Sequence, residues 1–358
     1  MQKIVTVVGA RPQFIKTAVV SPEIRKQYDE VLIHTGQHYD YNMSEQFFEE
    51  LNIPHPNYNL GISGGTHAEM TGKMLIELER VLVAEKPDCV LVYGDTNSTL
   101  AAALAAAKLH IPICHVESGV RTHSMTNPEE INRICTDHVS TLLLACTESG
   151  MEYLTKEGLS DKAYLVGDPM YDAFIRYSEK KSIGDVYLTL LDSHIKIDVP
   201  DRYIYMTCHR EENTSDDALK EILGAMDSLG EITIYPVHPR NKERASRIVK
   251  DMKYKNVILI EPVGYIESLT LINECLKIVT DSGGLQREAF FARKQCVTVL
   301  DFVCWPETMV GNRNQLVKPE ASDIVDKLNK DMVVDDNYQP FGDGNAARKI
   351  VSVLHNMM

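Results

Sequence analysis

Short apolar runs alternate along the chain with longer segments in which apolar residues recur every three to four positions. The runs predict buried β-strands, and the longer segments predict amphipathic helices. Strands are predicted at Ile4–Val8, Glu30–Thr35, Cys89–Tyr93, Ile113–Val116, Thr141–Ala145, Ala163–Val166, Tyr203–Thr207, Ile232–Pro236, Val257–Ile260, Lys277–Thr280 and Cys296–Val299. Helices are predicted at Phe14–Gln27, Thr66–Glu85, Ser98–Leu109, Glu129–His138, Asp216–Leu229, Asn241–Lys253, Tyr265–Glu274 and Gly284–Ala292. This alternation predicts parallel sheets with helices on both faces.

A domain boundary is predicted where turn-forming residues follow a strand, in the run Val166-Gly167-Asp168-Pro169. The chain has 358 residues, enough for two domains, which we place at residues 1–168 and 169–342. The predicted fold class is therefore α/β, with two Rossmann-like, doubly wound domains that face a central cleft. In such sheets the ligand binds beside the carboxyl ends of the strands.

Composition narrows the functions that this fold could have. With 37 Lys and Arg against 51 Asp and Glu, the net charge of −14 argues against a nucleic-acid-binding protein, although not against a small anionic ligand. No apolar window approaches 18 residues and the chain starts without a secretory signal pattern, so no membrane association is expected. Eight scattered cysteines without CxxC predict free, buried thiols in a reducing cytoplasm and no metal site.

Known cofactor motifs are also missing from the sequence. The chain has no P-loop and no D-x-D, and its one G-x-G, Gly342-Asp343-Gly344, does not follow a predicted strand. We therefore expect no nicotinamide cofactor, and we expect these glycines to open a last helix instead.

The first candidate site is the run 8–16, where the first predicted strand meets the first helix. A turn of small residues at a helix start exposes backbone N–H groups and can bind an anion, to which Arg11 and Lys16 would add charge. The alternative is an ordinary turn with two solvated cations.

Three acidic groups follow the next buried strands. Asp95 either acts in a site or caps a helix, and the latter task could fall to a neighbour such as Thr96. Glu117 either acts in a site or pairs with Arg121, since a carboxylate at the end of an apolar strand needs a partner. The run Asn127-Pro128-Glu129-Glu130 is a standard helix start, which leaves both glutamates open to a purely structural role.

Two further candidates lie in the second half of the chain. His209 and Arg210 follow a strand and suit a phosphate, or else belong to an exposed loop; His238 is a weaker signal of the same kind. The run Ser282-Gly283-Gly284 leads from a strand into a helix, where glycines let a phosphate approach the backbone. Glu288, one turn further, could accept a ribose hydroxyl; the alternative is a simple glycine turn.

Together these stretches resemble the non-hydrolysing UDP-N-acetylglucosamine 2-epimerases. The matching segments follow the family's order from residue 8 to about 290 and read GARPQFIK, TGQHYD, YGDTNSTLAAALAAAK, HVESGVRT, PEEINR, TCHREENT, YPVHPR and TDSGGLQREA. The resemblance implies a glycosyltransferase-B-like fold, in which a C-terminal helix at residues 343–358 packs back on the first domain. It also implies a cytoplasmic homodimer that needs no metal or cofactor.

The resemblance further implies roles for individual residues. The implied catalytic set is Asp95, Glu117, Glu129 and His209. The residues implied to bind UDP or the sugar, or to lie beside them, are Arg11, Lys16, His38, Arg210, His238, Ser282, Gly283, Gly284, Gln286 and Glu288.

The implied activity is an isomerase that inverts C2 of a UDP-2-acetamido sugar. The C2 proton is not next to a carbonyl, so elimination of UDP to a 2-acetamidoglucal, followed by re-addition, avoids an unstabilised carbanion. The implied substrate is UDP-N-acetylglucosamine or UDP-2,3-diacetamido-2,3-dideoxy-glucuronate, as a precursor of bacterial surface polysaccharides. The alternatives are a hydrolysing 2-epimerase and a UDP-sugar glycosyltransferase of the same fold.

The sequence also departs from the family's common pattern. GARPQ stands where GTRPE is usual, and the runs 61–67 and 300–308 replace stretches that carry arginine in many members. GARPQFIK, TGQHYDYNMS and the Gly-rich run 61–67 resemble the diacetamido-glucuronate branch, whose sugar carries an extra carboxylate. Arg121, Arg240 and Arg313 are candidate partners for that carboxylate.

Overall fold

The computed structural model describes residues 1–38 and 45–357. The chain forms two compact units, of which the first comprises Met1–Ala173 and Gln339–Met358 and the second comprises Phe174–Tyr338. Within the described residues, no helix is long and apolar enough to cross a bilayer.

A parallel sheet of seven strands forms the centre of the first unit. The strands are β1 (Lys3–Val8), β2 (Asp29–His34), β3 (Tyr58–Asn59), β4 (Cys89–Tyr93), β5 (Ile113–Ser118), β6 (Leu142–Ala145) and β7 (Ala163–Leu165). Their spatial order is β3-β2-β1-β4-β5-β6-β7, so the order reverses between β1 and β4. The connecting helices are α1 (Arg11–Ile24), α2 (Glu45–Glu50), α3 (His67–Glu85), α4 (Asn97–Lys108), α5 (Pro128–Val139), α6 (Glu148–Lys156) and α7 (Pro169–Tyr177).

A second parallel sheet, of six strands, forms the centre of the second unit. An antiparallel pair, β8 (Tyr187–Thr189) and β9 (Lys196–Asp198), precedes it. The sheet strands are β10 (Ile204–Met206), β11 (Thr233–Pro236), β12 (Val257–Ile260), β13 (Lys277–Thr280), β14 (Gln295–Val299) and β15 (Asn314–Val317). Their order is β12-β11-β10-β13-β14-β15, with the reversal between β10 and β13. The helices are α8 (Asp216–Ser228), α9 (Lys242–Met252), α10 (Tyr265–Glu274), α11 (Gly283–Phe291) and α12 (Ala321–Leu328).

The last helix, α13 (Ala346–Met357), belongs to the first unit, where it packs against α1. Its first turn is capped from a distant part of the chain, because the backbone N–H groups of Ala346 and Ala347 donate to the buried carboxylate of Asp172 at 3.1 and 2.8 Å. The glycines at 342–344 precede a helix, as the sequence predicted.

Both sheets have the strand order of a Rossmann fold, which confirms the predicted α/β class. The apolar strand residues form the cores: Val5, Val7, Val90 and Val92 pack with α3 and α4 in the first unit. Alanines on α4 let that helix approach the sheet closely. Among the cysteines, Cys135 is exposed and Cys304 half-buried, which corrects the expectation that all eight are buried.

Candidate active site

In each sheet the strand order reverses once, and the βα turns on either side of that reversal flank a crevice in doubly wound folds. We call this place the switch point. In the first unit the turns after β1 and β4 lie there, and they carry Arg11 and Asp95. In the second unit the turns after β10 and β13 carry His209 and Ser282. Each unit thus places predicted site residues at its own switch point.

The turn after β1 does not form the anion site expected on its backbone. The N–H groups of Gly9 and Ala10 both donate to Oε1 of Gln13, at 2.7 and 3.0 Å. Pro12 has no N–H to offer. Gly9 is required by packing, since a Cβ there would lie 2.2 Å from the side-chain oxygens of Ser98 and Thr35. The prediction of an amide-lined anion site here was therefore wrong.

Arg11 and His38 lie beside this closed turn. The backbone N–H of Arg11 donates to Nδ1 of His38 at 3.1 Å, and the His38 N–H donates to the carbonyl of Gly9 at 2.8 Å. His38 therefore connects the segment after β2 to the turn. The Arg11 guanidinium lies over the Phe47 ring, 5.1 Å from its centre, in a cation–π contact.

Lys16 lies deeper than expected. Its Nζ is 2.5 Å from Oε2 of Glu117, and both side chains are almost fully buried. Each charge compensates the other, because a buried Lys16 ammonium or Glu117 carboxylate without a partner would have a large desolvation cost. Arg121, the partner considered for Glu117 in the alternative interpretation, instead binds Asp137 and Glu157.

Glu117 also has an unusual backbone. Its φ is +71°, and the register of β5 against β6 shifts between Val116 and Ser118, which marks a bulge. Left-handed backbone is costly for a residue with a Cβ, and such strain clusters at functional sites. Bulges aim side chains next to active sites in the same way. The local fold thus turns Glu117 toward Lys16 at the expense of regular strand geometry.

Asp95 lies in the turn after β4, beside the Lys16–Glu117 pair. A Cβ on the preceding residue, Gly94, would lie 3.5 Å from Oε1 of Glu117 and 3.6 Å from Nζ of Lys16, so the Lys16–Glu117 pair lies against this turn. Thr96 caps α4, which frees the Asp95 carboxylate as the sequence suggested. That carboxylate forms an ion pair with Arg133 of α5.

The adjacent glutamates of α5 have different surroundings. Oxygens of Glu130 accept the backbone N–H groups of Thr122 and His123, each at 2.9 Å, and the side chain is buried. Glu129 is half-buried, and its own N–H is capped by Asn127. Glu130 is therefore committed to the fold, and Glu129 is the glutamate of the two with an accessible side chain.

One group of potential metal ligands lies within the described residues, formed by Glu117, Cys146 and Asp168, whose ligand atoms are all within 4.8 Å of one another. The Lys16 ammonium already neutralises Glu117 there. A cation would have to compete with that ammonium, so the group does not favour a metal ion.

In the second unit, Asp281 organises the turn after β10. Its buried carboxylate accepts the backbone N–H groups of His209 and Arg210, both at 2.8 Å, and its other oxygen lies 2.9 Å from Nδ1 of His209. Burial alone would raise the pKa of this carboxyl, but the contacts with His209 and the two N–H groups outweigh it and lower the pKa to about 2. The His209 ring is thereby oriented with Nε2 directed away from Asp281.

Cationic and aromatic groups surround His209. Its ring lies 6.3 Å from the ring of His238, with the two planes nearly parallel. The Arg210 guanidinium donates to the carbonyl of Asp281 at 2.9 Å and lies over the Phe302 ring at 5.2 Å. His209, Arg210 and His238 thus place hydrogen-bond donors and a positive charge at the second unit's switch point, and such a surface suits an anion.

The turn after β13 differs from its counterpart after β1, because it is open. Ser282 caps α11, because its Oγ accepts the backbone N–H of Leu285. The N–H groups of Gly283 and Gly284 have no hydrogen-bond acceptor among the described residues. A Cβ at Gly283 would meet nothing closer than 3.7 Å, and one at Gly284 nothing closer than 3.6 Å. The protein itself does not need glycine here, so the small residues leave space for a ligand at the helix N-terminus.

Two predicted contacts on α11 are buried. Gln286 donates to Oγ1 of Thr308 at 2.6 Å and is 1% exposed, so it supports the segment after β14. Glu288 is also buried, one turn into the helix, and 4% of it is exposed.

Comparison with known proteins decides the family. A family model of UDP-N-acetylglucosamine 2-epimerases matches residues 22–355. The chain belongs to the UDP-N-acetylglucosamine 2-epimerase family. It is an enzyme of the isomerase class, as the sequence predicted.

Relatives of this epimerase match along its whole length. A UDP-2,3-diacetamido-2,3-dideoxy-D-glucuronate 2-epimerase of Pseudomonas aeruginosa is 43% identical over 98% of this chain and 99% of its own. A UDP-N-acetylglucosamine 2-epimerase homolog of Methanococcus maripaludis is 46% identical over 99% and 100%. The crystal structure of Methanocaldococcus jannaschii UDP-GlcNAc 2-epimerase in complex with UDP-GlcNAc and UDP is 39% identical, with a TM-score of 0.88 over 99% of this chain and 100% of that one.

Several residues of this epimerase that shape the site were not singled out from the sequence. They are Gln13, His115, Asn132, Arg133, Asp137 and Asp281. One signal was available: Glu129 and Arg133 are four residues apart, which places them on one face of α5. For the others, residue type and spacing carry no sign of which distant backbone group they reach.

Proposed function

We propose that this chain is a UDP-sugar 2-epimerase that inverts C2 of a UDP-2-acetamido sugar through elimination and re-addition of UDP. The observation that carries the proposal is the buried Lys16–Glu117 pair, at a bulge with positive φ, against the turn that holds Asp95. Two carboxylates, each paired with a cation in or beside the turn after β4, suit an enzyme that moves protons and stabilises positive charge.

The reaction has two balanced halves. In the first, the bond between the anomeric carbon and the UDP oxygen breaks, its electron pair leaves with UDP, and a base takes the C2 proton to give a 2-acetamidoglucal. In the second, UDP adds back to the anomeric carbon while an acid protonates C2 from the other face. General acid or base catalysis of such a step contributes typically about 10²–10⁴-fold.

The first unit supplies the carboxylates. Glu117 and Asp95 are each held next to a cation, an arrangement that fits proton abstraction and stabilisation of an oxocarbenium-like centre. Glu129, half-buried on α5, is the third carboxylate. The Lys16 ammonium, 2.5 Å away, compensates the charge of Glu117 where water is excluded.

The second unit supplies the diphosphate site. The open N–H groups of Gly283 and Gly284, with the partial positive charge of the α11 N-terminus, suit phosphate oxygens. His209, oriented by Asp281, can donate from Nε2 to the departing diphosphate. Arg210 and His238 add donors on the same surface.

The sugar is either UDP-N-acetylglucosamine or UDP-2,3-diacetamido-2,3-dideoxy-glucuronate, the substrates in the names of the relatives. Of the three arginines considered for a sugar carboxylate, Arg121 binds Asp137 and Glu157, and Arg313 is buried against the Phe290 ring. Arg240 is the exposed one, so we propose Arg240 for that contact if the diacetamido uronic acid is the substrate.

A ¹H NMR time course in D₂O, with both nucleotide sugars side by side, tests the function. We expect one of them to exchange its C2 proton for deuterium and to reach an equilibrium with its C2 epimer. Free sugar plus UDP would instead identify a hydrolysing epimerase, and no change without an acceptor would favour a glycosyltransferase.

Glu117→Gln is the matched variant for that experiment. We expect it to bind UDP as the parent enzyme does, because the nucleotide contacts proposed above lie in the second unit, and to lose most C2 exchange. Full exchange in Glu117→Gln would overturn the role of Glu117, and unchanged exchange in Glu129→Gln would overturn that of Glu129.

A further inference from the structure

Three consecutive backbone carbonyls at the end of β4 each accept a hydrogen bond from a different side chain. The carbonyl of residue 93 accepts from Nε2 of Gln13 at 2.8 Å, that of residue 94 from Nε2 of His115 at 2.7 Å, and that of residue 95 from Nδ2 of Asn132 at 2.9 Å. These side chains come from α1, β5 and α5. We call Gln13, His115 and Asn132 the carbonyl clamp.

The clamp acts on a turn that needs support. Gly94 has φ of +62°, so the chain leaves the strand sharply just before Asp95. A backbone in a sparsely populated conformation persists where its surroundings over-determine it. Three donors from three elements do this, and the α5 residue next to Asn132, Arg133, binds the Asp95 carboxylate as well. Both the backbone and the side chain of Asp95 are thus tied to one helix.

The central member, His115, is held at both ring nitrogens. Its Nε2 faces the carbonyl of Gly94, which can only accept, so Nε2 carries a hydrogen. Its Nδ1 lies 2.6 Å from Oδ1 of Asp137, whose other oxygen accepts from the N–H of Gly119 and from Arg121. The ring therefore cannot rotate without breaking a contact at one nitrogen or the other.

Arg121 bridges Asp137 and the half-buried Glu157 at 2.7 Å each, so the fully buried Asp137 has a cation in direct contact. The His115 ring joins α5, through Asp137, to the end of β4, through the carbonyl of Gly94.

We propose that the carbonyl clamp fixes the Asp95 carboxylate in its working position. The clamp members are positioning residues, because they touch the backbone around Asp95 and act through it. This proposal rests on the proposed function only in that Asp95 works on the substrate; the clamp geometry does not depend on it.

A double-mutant cycle separates positioning from folding. We expect Asn132→Ala to lower kcat about 10²-fold with little change in KM, since small misplacements of a reacting group cost this much. In an Asp95→Asn background, Asn132→Ala should lower kcat no further, because the two changes act through one group. Asn273→Ala removes a comparable amide-to-carbonyl bond, to Ser178 in the second unit, and should leave kcat unchanged.

The cycle would overturn the proposal if Asn132→Ala left kcat unchanged, or lowered it by the same factor with and without Asp95. It would also fail if Asn273→Ala reproduced the loss, since general destabilisation would then explain both.

The ring itself is tested without turnover, by ¹⁵N NMR of histidine-labelled protein at neutral pH, with His115→Gln used to assign the signals. We expect Nε2 of His115 to show the shift of a protonated nitrogen and a directly bonded hydrogen. An unprotonated Nε2 would overturn its hydrogen bond to the carbonyl of Gly94 and with it the central contact of the clamp. Because this readout needs no substrate, a protein that failed to epimerise any UDP-sugar would contradict the proposed function while leaving the ring result to judge the clamp.

Discussion

The ammonium of Lys16 lies 2.5 Å from the carboxylate of Glu117, and the protein buries both against the turn after β4. Lys16 comes from α1 and Glu117 from the bulged end of β5, so the pair forms only when these two elements have come together. A buried ion pair of this kind stabilises little in total, because each charge has lost its hydration. Its value lies in holding a carboxylate ionised and oriented where water is scarce.

We expect Lys16→Met to destabilise the first unit strongly, because it leaves the Glu117 charge buried without a partner. The cost should be about 3–5 kcal/mol in the free energy of unfolding, measured with urea. Lys16→Met combined with Glu117→Gln should recover most of that loss without recovering activity. Lys26→Met, at an exposed pair with Glu23, is the control and should change stability by less than about 1 kcal/mol. A double variant no more stable than Lys16→Met alone would contradict this account.

Because Glu117 has a positive φ, glycine should be more stable than alanine at this position, which is the reverse of the usual order in a strand. Glu117→Gly should be more stable than Glu117→Ala by about 1 kcal/mol, because left-handed backbone costs residues with a Cβ about that much. At Val90, in the regular part of β4, the order should reverse, with alanine more stable than glycine by about 0.5–1 kcal/mol. Urea unfolding of the four variants measures both differences. The same order at both positions would show that the bulge stores no strain.

The neighbours Glu129 and Glu130 should separate activity from stability. Glu130→Gln would set an amide against the N–H of Thr122 or His123, and we expect a loss of about 1–3 kcal/mol in unfolding free energy. Glu129→Gln should unfold like the parent enzyme, while C2 exchange falls about 10²–10⁴-fold. Melting curves and deuterium exchange on the two proteins decide this. The reverse outcome would exchange the assignments of the two residues.

The sheets could be predicted from the sequence because their strands are short, continuous apolar runs. The predictions Cys89–Tyr93, Val257–Ile260 and Lys277–Thr280 match the observed strands at both ends. The final strand of the second sheet was missed, since Asn314 and Gln315 interrupt its apolar pattern and it follows an irregular segment. The short antiparallel pair β8 and β9 has no long apolar run either.

The site could be predicted only in part. The sequence suggested that Thr96 would cap α4 and free Asp95, because capping depends on local residue types. It could not show that Gln13 would occupy the N–H groups of its own turn, or that Lys16 would reach Glu117. Those contacts depend on the direction of side chains between distant segments, and on the bulge in β5, neither of which leaves a periodic signal.

Replacing glycine by alanine should have different effects on stability in the turn after β1, at Gly9, and in the turn after β13, at Gly283. Gly9→Ala should destabilise the protein markedly, because its Cβ would overlap the oxygens of Ser98 and Thr35. Gly283→Ala has room and should leave the melting temperature unchanged or slightly higher. If UDP phosphates lie against that backbone, Gly283→Ala should nevertheless raise the Kd of UDP at least about 10-fold. Titration calorimetry on both folded proteins measures this, and unchanged UDP affinity in Gly283→Ala would place the diphosphate elsewhere.

The His209–Asp281 contact predicts an acid-sensitive second unit. Burial works against ionisation of Asp281, but the His209 contact and two backbone N–H groups bring its pKa from the usual 3.8 down to about 2. The folded form binds this proton less readily than the unfolded form. The resulting stabilisation is therefore complete above about pH 4 and is lost as the pH falls through about 2, an effect of about 2 kcal/mol.

Asp281→Asn should be less stable than the parent protein at pH 7, and the difference between the two should shrink as the pH falls from about 4 to 2. Urea unfolding across this range measures it. Asp216→Asn is a suitable control, since this exposed carboxylate contacts two surface arginines, Arg244 and Arg247, and its loss should not alter the pH profile. A constant difference between parent and Asp281→Asn from pH 7 to pH 2 would mean that the proton on Asp281 is not linked to folding, and the orientation of His209 would then need another cause.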